Sequence, residues 1–151
     1  MHTEDSIHLI GIALPQKTTN ENGQSSIDCG TLWQRFEKES IHSQIPAKLN
    51  NEVYAVYHDY EGDYMKPFSY FIGCKTEPGV QVPEGLLSLT IPTGAYQKFL
   101  AKGKMPMCIA EAWQAIWAAD IRRAYTFDFE IYGERSYNWD DAEVDIFVST
   151  I

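Results

Sequence analysis

Phe127-Asp128-Phe129-Glu130-Ile131-Tyr132 is the stretch on which the fold turns. Aromatic and branched residues alternate with polar ones, the pattern of a strand. Alternation sets Phe127, Phe129 and Ile131 on one face and Asp128, Glu130 and Tyr132 on the other. Two readings follow. The polar face lies in water on an ordinary edge strand, or a carboxylate beside a tyrosine marks a pocket for something positively charged.

Working outward, the chain falls into two runs of the same order. The first run has a strand from Ile7 to Leu14 and a helix beginning near Ile27 or Asp28. Leu32, Trp33, Phe36 and Ile41 give that helix an apolar stripe. Strands over Val53 to Tyr60 and Tyr70 to Thr76 follow, joined by the turn Glu61-Gly62-Asp63. Pro78, Gly79, Pro83 and Gly85 mark a break. Then come a strand over Leu87 to Ile91, a bend at Pro92-Thr93-Gly94 and a strand over Ala95 to Leu100. A helix carries Ile109, Ala112, Trp113, Ile116 and Trp117, and strands span Phe127 to Tyr132 and Val144 to Ile151.

The pattern predicts an α+β domain over residues 1–151. It consists of tandem strand-helix-strand-strand repeats, with halves of about 1–80 and 81–151. Together they form an antiparallel sheet with two helices and a cleft at the pseudo-twofold seam. Trp33-Gln34 matches Trp113-Gln114, Tyr54-Ala55-Val56-Tyr57 matches Phe127-Asp128-Phe129-Glu130, and Tyr70-Phe71-Ile72 matches Val144-Asp145-Ile146. This alignment sets Tyr57 opposite Glu130.

Composition narrows the function. A length of 151 residues suits one core. The net charge of −9 argues against nucleic acid, whose phosphates need a basic surface. Lys98, Lys102 and Lys104 form one small basic cluster, read as a solvated loop. Cys29, Cys74 and Cys108 form no paired framework and fit a reducing, cytoplasmic setting. Neither a signal peptide nor an apolar run long enough for a membrane is expected. His2, His8, His42 and His58 are scattered without a ligand motif, and the acidic run Asp140 to Asp145 lacks the spacing of a calcium loop. No metal or cofactor is expected.

The second half resembles the GyrI-like family, the effector-binding domain of bacterial transcription activators. The resemblance rests on Ile91-Pro92-Thr93-Gly94-Ala95-Tyr96, Phe99, Gly103, Ala112-Trp113, Phe129-Glu130-Ile131-Tyr132 and Glu143-Val144-Asp145-Ile146. The first half is similar through Leu32-Trp33-Gln34-Arg35-Phe36 and Tyr54-Ala55-Val56-Tyr57. The resemblance implies a stand-alone, multidrug-type binding domain with Glu130 as a binding glutamate and a hydrophobic or amphipathic cation as ligand. It also implies two alternatives. One is hydrolysis of reactive small molecules, with Glu130 and Tyr57 or Tyr132 as base and acid. The other is a protein partner, either a transcription factor or a DNA-handling enzyme such as gyrase.

Glu130 has a physical case of its own. A lipophilic cation loses hydration cheaply, so its attraction to a partly buried carboxylate can exceed the desolvation cost. Aromatic faces add roughly 0.5–2 kcal/mol each. The expected walls are Tyr57, Tyr132, Trp113, Trp117, Phe71 and Phe147, with Tyr137 and Trp139 in the last loop as a lid. Each of these aromatics also has a plain reading as core.

Overall fold

The computed structural model describes residues 6–63 and 65–151, together with the backbone of 2–4. Eight strands form one sheet: β1 (His2–Glu4), β2 (Ile7–Ala13), β3 (Val53–His58), β4 (Ser69–Lys75), β5 (Leu87–Ile91), β6 (Gly94–Gly103), β7 (Phe127–Tyr132) and β8 (Ala142–Ser149). The helices are α1 (Gln24–Lys38), α2 (Ile41–Gln44) and α3 (Met107–Ala118). The two expected long helices are thus joined by a short third. Ile41 starts α2 rather than extending α1, because Ser40 takes a left-handed conformation (φ 52°) that breaks the helix.

The strand order is β1-β6-β8-β7-β3-β4-β2-β5, and every pairing is antiparallel. β7 lies at the centre of the sheet, with strands paired along both its edges rather than one edge in water. β7 and β3 pair from Val53↔Tyr132 to His58↔Phe127, and this pairing is the seam between the halves. A twofold axis through Val56↔Phe129 exchanges Tyr57↔Asp128 with Ala55↔Glu130, which makes Tyr57 and Glu130 equivalent positions. The expected match of Ile72 with Ile146 is corrected by two residues. Tyr57 pairs with Tyr70, and Glu130 with Ile146, so Tyr70 is the equivalent of Ile146. The division at about residue 80 changes too. β5 joins the side of the sheet built by the first half, and β1 joins the side built by the second.

The two faces of the sheet differ. One carries Ile7, Leu9, Tyr54, Val56, Phe71, Ile91, Tyr96, Phe129 and Phe147 as a single buried cluster. Leu89 and Ile91, on the end strand β5, meet this cluster together with Tyr96, which lies beside the other end strand. The sheet therefore bends until its two ends share a core. Gly11 and Gly73, a register pair, make close approach possible: a Cβ on Gly11 would lie 1.9 Å from the carbonyl oxygen of Ile72. The other face receives the helices. Leu32 and Phe36 of α1 pack over β2, β3 and β4, while Trp113 and Ile116 of α3 pack over β6 and β8. Between the helices, over the seam, the sheet is left uncovered by helix.

Among the described residues no helix is long and apolar enough to cross a membrane. Lys98 and Lys102 pair with Asp145 and Glu143, so the basic cluster is largely neutralised within the sheet's surface.

Candidate functional site

The uncovered seam is the floor of a cavity of about 1130 Å³. That exceeds the roughly 300–1,000 Å³ of common small-molecule sites. Val53, Tyr57, Tyr70, Glu130 and Tyr132 rise from the strands. Cys29, Gly30 and Trp33 come from α1, and Ile109, Trp113 and Trp117 from α3. Each helix presents one face to its half of the sheet and the adjoining face to the gap. A tryptophan sits at that boundary on each side.

Glu130 is 1% exposed. Its Oε2 accepts hydrogen bonds from Tyr57 Oη (2.8 Å) and Trp113 Nε1 (2.6 Å), and its Oε1 accepts one from Tyr132 Oη (2.6 Å). Burial raises the pKa of this carboxyl above the ordinary carboxylate value. The donors Tyr132, Trp113 and Tyr57 oppose that shift without cancelling it. Burial and then the charge of Glu130 hold the phenols of Tyr57, Tyr70 and Tyr132 well above their usual range, so all three stay neutral. The Cys29 thiol is likewise pushed up by burial first and by Glu130 second. Among the described contacts of Glu130, all partners are neutral. The carboxylate is caged by hydrogen bonds but has no counter-cation among the described residues.

The structure brings most of the expected residues together. Glu130, Tyr57, Tyr132, Trp113 and Trp117 line the cavity, and Tyr137 and Trp139 line it from the last loop, 66% and 60% exposed. Phe71 and Phe147 are corrected. Both belong to the buried cluster on the other face, where Phe147 stacks on Phe129 at 5.0 Å between ring centroids. β4 is buried on both faces, so alternation alone could not say which of Phe71 and Tyr70 faces the cavity.

Trp33, Tyr70 and Arg123 line the cavity but were not expected there. Trp33 donates to Tyr70 Oη at 2.9 Å and meets the Tyr132 ring edge-on at 5.0 Å. The repeat carried a signal for it, since Trp33 matches Trp113. Arg123 follows α3 in an irregular segment with no periodicity to read.

Among the described residues no group of three or more histidine, cysteine, aspartate or glutamate side chains could hold a metal. The His2 side chain lies outside the described residues.

Residues 1–149 match the profile of Cass2, the integron-associated effector binding proteins. The chain belongs to that family. The Cass2 match spans both halves, as a cavity at their seam requires. The Bacillus subtilis (strain 168) protein YobU, named as a transcriptional regulator, is 26% identical over 122 residues, covering 78% of this chain and 76% of YobU. Two solved structures share the fold. The Vibrio cholerae integron cassette protein VCH_CASS2 has a TM-score of 0.75 at 24% identity, over 99% of this chain and 94% of that one. SAV2435, solved with bound tetraphenylphosphonium, has a TM-score of 0.78 at 16% identity, over 99% and 92%.

Proposed function

We propose that this effector-binding protein takes up hydrophobic organic cations at the seam cavity and acts by sequestration or sensing. Glu130 supplies the countercharge, and Trp33, Tyr57, Trp113 and Tyr132 supply the walls. The observation that carries the reading is a carboxylate buried in an aromatic cavity with three neutral donors and no cationic partner among its described contacts. A cation entering this site supplies the charge that burial leaves uncompensated. The bound tetraphenylphosphonium of SAV2435, on the same fold, is in keeping with it.

The test is a fluorescence titration that reads the wall tryptophans. Tetraphenylphosphonium and the neutral triphenylphosphine oxide are compared in wild type and Glu130→Gln. The amide can still accept from Tyr57 and Trp113 while donating to Tyr132 Oη, so the cage is kept and the charge removed. Affinity for the cation is expected to fall roughly 10- to 100-fold, with little change for the oxide. Equal losses for both would remove the electrostatic part of the reading. Mass spectrometry of the recovered ligand checks for turnover, which sequestration excludes.

A further inference from the structure

The cavity runs to a mouth at the end of the seam marked by Val53↔Tyr132, where α1 finishes and the loop after β7 begins. The halves meet closely there: a Cβ on Gly133 would lie 3.2 Å from Glu52 Oε2. Gln34, Glu37, Asn51, Tyr137 and Trp139 line this mouth. Tyr137 and Trp139 are 66% and 60% exposed, yet the loop that carries them is pinned. Ser136 donates from its amide and its Oγ to the Gly133 carbonyl at 2.9 and 2.7 Å, and the Trp139 carbonyl accepts from the Met105 amide at 2.8 Å. Two large aromatics held in water at the mouth of a cavity mark a surface made to be covered.

The charge at the mouth says by what. Ser26, Gly30, Trp33 and Glu37 line the cavity at spacings of three and four, as one stripe of α1. Glu37 therefore continues the stripe of the wall tryptophan, four residues or about 6 Å beyond it. Helical side chains lean towards the N-terminus, so Glu37 leans back along the cavity towards Trp33. It is exposed, and no ion pair among the described residues engages it. Of the basic residues in the same turn, Arg35 pairs with Glu39, and neither Arg35 nor Lys38 lines the cavity. That turn is the last of α1, whose carbonyl end adds partial negative charge. The lining thus holds two carboxylates, Glu37 and Glu130, while Arg123, its permanent cation, is already neutralised by Asp128 at 2.7 Å.

We infer that Glu37, with the rings of Tyr137 and Trp139, forms a second cation subsite at the mouth. The favoured ligands are then elongated dications, with one charge at Glu130 and the other on the order of 10 Å away at Glu37. The mouth offers the outer charge a carboxylate and two aromatic faces without the cost of burial. This rests on the cation reading of Glu130.

Two probes decide it, (6-trimethylammoniohexyl)triphenylphosphonium and (7,7-dimethyloctyl)triphenylphosphonium, which match in shape and differ in the charge of the tail. Calorimetric titration gives the ratio of their affinities. Glu37→Gln is expected to lower the ratio of dication to monocation affinity roughly two- to fivefold. Trp139→Leu is expected to lower it by a similar factor. Glu84→Gln makes the same change of net charge in an exposed turn outside the cavity and is expected to leave the ratio as it is. A ratio that survives Glu37→Gln or Trp139→Leu, or that falls as far in Glu84→Gln, overturns the subsite. Tetraphenylphosphonium has no second charge and tests Glu130 alone. Its affinity is expected to be little changed by Glu37→Gln, and its failure to bind wild type overturns the reading of Glu130, and the bridging dication with it.

Discussion

Tyr57 donates to Glu130 across the seam at 2.8 Å, and the two residues occupy the same position in their respective halves. The twofold relation has been split chemically: one copy keeps an acceptor and the other a donor. Two glutamates at these positions would repel each other, and two tyrosines would leave no carboxylate at the centre of the cavity floor. The asymmetric pair makes a single anionic point on the floor of an otherwise symmetric cleft.

The raised pKa of Glu130 makes binding depend on pH. The cation needs the ionised carboxylate, and in the free protein burial favours the protonated one. Affinity for tetraphenylphosphonium is expected to rise with pH through the raised pKa and to level off above it, falling about tenfold per unit below it. Binding within that window releases a proton. Calorimetry in two buffers of different ionisation enthalpy measures both effects, and Glu130→Gln is expected to abolish them.

The same shift acts on stability. Between the unfolded and the raised folded pKa, the folded state holds more protons than the unfolded state. Folding stability contributed by this group therefore falls as pH rises through the window. Urea denaturation should show Glu130→Gln gaining on wild type as pH rises, with the difference narrowing in acid.

Tyr132→Phe removes one of the three donors while preserving the ring. The carboxylate then loses a charge-assisted hydrogen bond of about 1.5–3 kcal/mol. Its pKa moves further up, so the pH at which cation affinity levels off is expected to shift upward. A titration series in wild type and variant measures that shift.

Arg123→Ala leaves Asp128 charged, fully buried and without its cation. The expected loss is about 3–5 kcal/mol. Arg123→Met with Asp128→Asn is expected to cost markedly less, since Ser149 and Tyr60 can still bond the amide. Equilibrium urea unfolding of both variants gives the comparison.

Phe129→Ala opens the cluster on the face away from the cavity, where Phe129 contacts Tyr54, Tyr96 and Phe147. The expected cost is about 3–5 kcal/mol. The ratio of cation to neutral-ligand affinity should be unchanged in the folded fraction, which separates the two faces by experiment.

Much of this was legible in the chain. Alternation bounded β7 at Phe127 and Tyr132 and assigned its faces correctly, because a central strand with one apolar and one polar face keeps a clear period of two. The repeat placed Tyr57 against Glu130. It failed at Tyr70 because β4 is buried on both faces, so a slip of two residues leaves its pattern unchanged. Phe71 was misplaced for that reason, and Phe147 because it is an aromatic on the face of β8 that otherwise carries Glu143 and Asp145. The pairing of Arg123 with Asp128 spans only five residues, but it joins an irregular segment to a strand, so no periodicity marks it. Asp128 looked like a solvated residue only while β7 was taken as an edge.

The exchange of β1 and β5 between the halves bears on what the chain can be divided into. A fragment ending in the loop after Thr76 would carry β1 without β6, its pairing partner, and would leave one edge of β2 bare for want of β5. The remainder would be short in the mirror-image way. Neither piece is a free-standing unit, and each completes the other like two hands clasped at the fingertips. The seam that forms the cavity is therefore held shut from both rims of the sheet, so the site can admit a bulky guest without the two halves drifting apart.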